Sequence, residues 1–166
     1  MGIIFVSISL IGIEIGKMKT LRINDLREFK KAFLILKSEI ESFKTPLGEC
    51  CKNISLKTKE PVSQIFGAVH DEIYNFTQNN LDSVWVNKIE KYKSYLNLKN
   101  EDIEELKSFG NCFGFSDDNM QKKNIDFTIS YIDDKIEILN RETEKNTKLF
   151  NNLGILSGIL ACILLM

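Results

Sequence analysis

Four cysteines, one histidine and four acidic doublets are the side chains in this 166-residue chain with the obvious means to do chemistry. Cys50 and Cys51 are adjacent, whereas zinc ligands along one segment are spaced by two or more residues, and Cys162 lies in an apolar tail. With Cys112 they make an improbable disulfide framework, so reduced thiols in a cytosolic compartment are expected. His70 has no second imidazole or cysteine near it in sequence, which points to a surface or packing role rather than a metal or catalytic one. Paired carboxylates occur at Glu101-Asp102, Glu104-Glu105, Asp117-Asp118 and Asp133-Asp134. Two of these pairs fall at expected helix N-termini, where the helix dipole accounts for them; the other two read as solvated faces. There is no GxxxxGK[ST] and no GxGxxG run. No catalytic, cofactor-binding or metal-binding residue is assigned, and an enzyme is not expected.

A net charge of −1 gives no reason to expect nucleic-acid binding. Charged residues are abundant between Lys17 and Lys148 and almost absent outside that range, so a polar middle lies between two apolar ends. The expected organisation is an N-terminal membrane anchor over 1–16, a cytoplasmic helical domain over 17–152 and a C-terminal anchor over 153–166.

The elements follow from the spacing of apolar residues. Ser116 to Met166 reads as one uninterrupted helix, with Ser116 as cap and Asp117 and Asp118 in the first turn. Ile125, Ile129, Ile132, Ile136 and Leu139 repeat in steps of four and three, a heptad seam. Leu26, Phe29, Phe33, Leu36, Ile40 and Phe43 form a second seam, and the two are expected to pair as an antiparallel stalk. Between them, shorter helices are expected. Thr45-Pro46 should start one, with threonine as cap and proline at the first helical position, running to about Asn53. Pro61 should open the next, to about Gln78, and Asn79-Asn80 should cap another from Leu81 to about Leu98. Asn100 should cap a helix bearing Ile103, Leu106 and Phe109, ended by Gly110 and a left-handed Gly114. The fold class is all-α, a bundle of about six helices whose long first and last members run into short membrane anchors.

Each apolar end is short for the ~30 Å hydrocarbon core. Gly12 and Gly16, and Gly154 and Gly158, have the small-xxx-small spacing that lets helices approach closely in lipid, so anchor packing or homo-oligomerisation is possible. Lys17, Lys19 and Arg22 follow the first anchor, and Arg141, Lys145 and Lys148 precede the second, while the outer flanks carry no Lys or Arg. By the positive-inside rule the middle is cytoplasmic.

The chain is similar to the stage III sporulation protein AB family of endospore-forming bacteria. The resemblance is carried by Ser38-Glu39-Ile40, Thr45-Pro46-Leu47, Phe109-Gly110, Gly114-Phe115-Ser116-Asp117, Gln121-Lys122-Lys123 and Ile125, and by Lys148-Leu149-Phe150 with Leu153-Gly154. Phe113 stands where leucine is usual in the family and Asn124 where a histidine is, and Lys52 to about Leu98 matches only in helical character. The resemblance implies a non-enzymatic component of the channel between mother cell and forespore. Its helical domain would resemble the cytoplasmic domains of the type II secretion inner-membrane platform protein. The implied place is the mother-cell membrane, and the implied partners are the stage III sporulation protein AA ATPase, other stage III channel proteins and membrane lipid. No small-molecule substrate or cofactor is implied. Docking is expected at the membrane-distal end, through Glu39, Thr45, Pro46 and Leu47 on one side. On the other it would use Phe109, Gly110, Gly114, Ser116, Asp117 and Gln121. A self-associating membrane coiled-coil scaffold or sensor is the alternative reading.

Overall fold

The computed structural model describes the backbone of residues 2–43, 45–75, 80–114 and 118–165, and the side chains of 17–41, 45–75, 80–111 and 120–145. Its helices are α1 (Gly2–Ser38), α2 (Leu47–Lys57), α3 (Val62–Asn75), α4 (Leu81–Tyr92), α5 (Asn100–Ser108) and α6 (Asp118–Leu165). A π-helical turn, Glu39–Phe43, follows α1, and 3₁₀ segments span Lys93–Tyr95 and Phe109–Gly114. There is no strand among the described residues.

Both seams are buried. Leu26 and Ile132 are 1 % exposed, and Phe29, Phe33, Leu36 and Ile125 are fully buried; Ile40, Ile129 and Ile136 pack partly buried against them. Salt bridges report the direction of the pairing. Lys19 Nζ lies 2.7 Å from Glu142, Lys30 Nζ 2.6 Å from Asp133 and Lys37 Nζ 2.6 Å from Asp126. Residue numbers rise along α1 as they fall along α6, so the helices are antiparallel. The start of α1 and the end of α6 therefore lie at one end of the molecule. These half-exposed pairs contribute little each; seam burial holds the helices together.

The α1 seam is not covered by α6 alone, as a two-helix stalk would require. The Phe33 ring centroid lies 4.4 Å from that of Phe109, 6.4 Å from those of Phe66 and Trp85, and 6.2 Å from that of Phe29. Aromatic side chains from the short helices thus close over α1, and one core joins all six α-helices. The Trp85 indole donates to the Leu106 carbonyl, tying α4 to α5.

α4 begins at Leu81 after Asn80 as expected, whereas α2, α3 and α5 start a residue away from the expected positions. The carbonyls of Pro46 and Pro61 accept from the amides of Cys50 (3.0 Å) and Ile65 (3.2 Å), so each proline precedes the first helical residue rather than occupying it. Thr45 is not a cap. Asn100 is already inside α5; the Lys99 amide donates to the Asp102 carboxylate at 2.9 Å, which closes the first turn. α2 runs four residues past Asn53, whereas α4 stops at Tyr92, well short of Leu98. Gly114 lies in a 3₁₀ segment, and no glycine among the described residues has positive φ.

Among the described residues, no helix is long and apolar enough to cross a membrane. The two expected anchors, with Gly12, Gly16, Gly154 and Gly158, fall where no side chain is described. Phe43 and Phe76 also lie outside the described side chains.

Removing the ring on which four others converge should be costly. Phe33→Ala is expected to lose about 3–5 kcal/mol of stability, read as a lowered urea midpoint with an unchanged helical signal in the native baseline.

Candidate functional site

The turn from α1 to α2 is held by its own polar groups. Glu39 accepts from Thr45 Oγ1 at 2.8 Å and from Asn53 Nδ2 at 3.1 Å, and the Thr45 amide reaches the Glu39 carbonyl at 3.4 Å. Pro46 is exposed, and Leu47 packs partly buried on the core. Gly48 is buried where a Cβ would come within 2.8 Å of Tyr74 Cε2, so this turn accepts no larger residue without displacing the Tyr74 ring. His70 donates from Nδ1–H to the Gly48 carbonyl at 2.9 Å and packs at a tilt against the Tyr74 ring, a packing role.

The structure separates the expected docking residues into two kinds. Glu39, Thr45, Pro46 and Leu47 form one turn, and the Lys37–Asp126 pair sets the first turns of α6, with half-buried Gln121, at the same end. Phe109 and Gly110 do not face a partner. Phe109 is 2 % exposed in the aromatic core. Gly110 lets the 3₁₀ segment lie against α4, where a Cβ would collide with the Asp82 carboxylate and stand 3.0 Å from Trp85. Ser116 and Asp117 lie outside the described residues, and of Gly114 only the backbone is described.

A second polar cluster sits at the opposite end. Arg22 on α1 is buried and grips Asp102 on α5 with two bonds, Nε to Oδ2 and Nη2 to Oδ1, both 2.8 Å. Its Nη2 also reaches Glu101 at 2.9 Å, and Glu101 meets Lys135 of α6 at 3.3 Å. Burial opposes the Arg22 charge, yet the bonds to Asp102 and Glu101 outweigh it and raise its pKa. The bonds from Arg22 and Lys135 hold the Glu101 carboxyl below its ordinary range. Beside this network Asp25 accepts from the Asn97 amide at 2.6 Å and from its Nδ2 at 3.1 Å, fixing the connector before α5. The cluster floors an open cleft of about 630 Å³ bounded by α1, the 96–99 connector, α5 and α6.

Asp102 therefore does more than complement a helix dipole, and this the acidic-doublet reading missed. A signal was present: Arg22 stands four residues before Leu26, in register with the α1 seam, and a cation on a core-facing position needs a buried partner. Of the two doublets expected on solvated faces, Glu104 and Asp134 are exposed and Glu105 and Asp133 half-buried, with Glu104 bonded to Lys107 and Asp133 to Lys30; the Asp117 and Asp118 side chains lie outside those described.

Cys50 and Cys51 are buried and free. Burial, with help from Glu39, pushes the Cys50 thiol up to about 11; burial and Cys50 push Cys51 up to about 12. Among the described residues no three His, Cys, Asp or Glu side chains gather as a metal site.

The architecture is an all-helical head with its first and last helices paired antiparallel. Residues 1–166 match the family model for stage III sporulation protein AB. The stage III sporulation protein AB of Bacillus subtilis (strain 168) is 30% identical over 155 residues, which cover 93% of this chain and 90% of that protein. A solved structure of a stage III sporulation protein AB aligns with a TM-score of 0.69 at 25% identity, covering 75% of this chain and 97% of the other. The chain belongs to the stage III sporulation protein AB family.

Truncating one member of the buried pair leaves the other charge without a partner. Arg22→Ala should cost about 3–5 kcal/mol, and Arg22→Met with Asp102→Leu should recover part of that loss, measured by equilibrium unfolding. At pH 8, iodoacetamide followed by peptide mass spectrometry should leave Cys50 and Cys51 unlabelled in the folded protein and label both in urea, where a thiol returns to a pKa near ~8.5.

Proposed function

We propose that this chain is a membrane-tethered helical adaptor of the mother cell–forespore channel, which docks a cytoplasmic ATPase, the stage III sporulation protein AA ATPase, and does no chemistry itself. The carrying observation is the antiparallel pairing of α1 and α6. It brings both apolar ends of the chain, 1–16 and 153–166, to one side and leaves the α1–α2 turn and the start of α6 at the other. A head held in this way from one end would offer its far end to the cytoplasm. The positive-inside bias of Lys17, Lys19 and Arg22 and of Arg141, Lys145 and Lys148 supports the same orientation, in the mother-cell membrane.

The docking surface in this reading is the turn built on Glu39, Thr45, Pro46 and Leu47, together with Ser116, Asp117, Asp118 and Gln121. Phe109 and Gly110 support it from beneath rather than touching the partner. Other stage III channel proteins would meet the remaining faces, and Gly12, Gly16, Gly154 and Gly158 would pack the anchors in lipid.

Pull-down of purified ATPase by the full-length protein in detergent tests the surface. Asp117→Lys with Asp118→Lys should abolish capture, whereas Lys91→Glu, on the exposed face of α4, should not. Undiminished capture by the double variant removes this surface from contention.

A further inference from the structure

The cleft beside Arg22 lies at the end of the head from which the apolar helices continue. Lys19 in its wall is three residues beyond Gly16, roughly 5 Å of helix. Its lining has two characters. Met18 and Ile138 are large apolar side chains left 65% and 51% exposed, and Leu98 joins them. Lys19, Arg22, Lys99 and Lys135 supply cations among them.

Counting partners shows which charge is left over. Arg22 is taken by buried Asp102, Lys135 by Glu101 and Lys19 by Glu142. Lys99 has no carboxylate within ion-pair distance among the described residues, although its charge reaches Glu142 at longer range, so it is the cation of the lining left open to an outside anion, rimmed by apolar side chains. One phosphodiester has the opposite single charge, and a glycerol ester body has the matching apolar surface. The volume, about 630 Å³, lies in the range of small-molecule pockets and leaves room for a headgroup with the glycerol behind it.

We infer that this cleft binds the phosphate of one anionic glycerophospholipid, with the phosphate at Lys99 and the glycerol and first methylenes against Met18, Leu98 and Ile138. The inference rests on the membrane-tethered reading, because a lipid reaches the cleft only if the bilayer surface lies beside it. Basic pockets just outside membrane helices attract anionic headgroups for the same electrostatic reason. Lipid seated there would bridge α1, α6 and the 96–99 connector, and so fix the tilt of the head on the membrane.

Full-length protein extracted from vesicles of phosphatidylcholine and phosphatidylglycerol can be read by native mass spectrometry. The wild type should retain one phosphatidylglycerol and no phosphatidylcholine. Lys99→Ala should cut that retention about fivefold, the effect of roughly one basic residue near a headgroup. Ile138→Asn should cut retention as well while leaving weak binding of glycerol 3-phosphate. Lys91→Ala, outside the cleft, should change neither. Equal retention of both lipids, or full retention by Lys99→Ala with an unchanged melting temperature, overturns the inference. Glycerol 3-phosphate bound in a Lys99-dependent way without lipid retention overturns the lipid source and assigns the site to a soluble phosphate ester. Release of the protein from membranes by alkaline carbonate would sink the tether itself, an outcome read separately from lipid retention.

Discussion

Burial of two apolar seams on two long helices is the constraint from which the rest of this structure follows. Leu26, Phe29, Phe33 and Leu36 on α1, and Ile125, Ile132 and Leu139 on α6, cannot remain in water without a penalty of roughly 1.5–3 kcal/mol per large side chain. Antiparallel pairing covers part of each seam. The short helices cover the remainder, which is why Phe66, Trp85 and Phe109 come to rest on Phe33 although they are distant from it in sequence. A long amphipathic helix is stabilised by such packing far more than by its own propensity.

The buried Arg22–Asp102 pair works differently from that apolar core. Removing both charges from water is expensive, and their attraction offsets the cost only because the geometry is bidentate and Asp102 also accepts the Lys99 amide. What the pair supplies is position. It fixes the start of α5 against α1, Glu101 carries the link on to Lys135 of α6, and Asp25 pins the connector through Asn97. The end of the head nearest the apolar termini is thereby set by polar contacts and the middle by aromatic ones. One end is a charged cleft and the other a tight turn over Gly48, so the two can meet different surroundings.

Periodicity made the helices legible. Steps of three and four along 26–40 and 125–139 name residues that are in fact buried in the core or packed partly buried against it, and the all-α class follows from the lack of any alternating run. Boundaries were less legible because cap chemistry is local and ambiguous. Thr45 could cap, but Glu39 captures its hydroxyl; Asn100 could cap, but Asp102 closes that turn from within. The Phe109-Gly110 pair, part of the family pattern, reads as a possible contact surface in sequence. Its place against Trp85 and Asp82 makes it a packing device, since only a residue without a Cβ lets the 3₁₀ segment approach α4 so closely.

By itself the sequence determined the helical class, the paired seams, the apolar ends and the family. Each of these depends on residue type and near-neighbour spacing, which the chain states directly. Tertiary structure alone decided that Arg22 would meet Asp102 eighty residues away, that Lys99 would have no direct ion pair among the described residues, and that Phe109 would turn inward. Those outcomes depend on how several helices close over one another, and a partner chosen across that distance leaves no periodic trace in either segment.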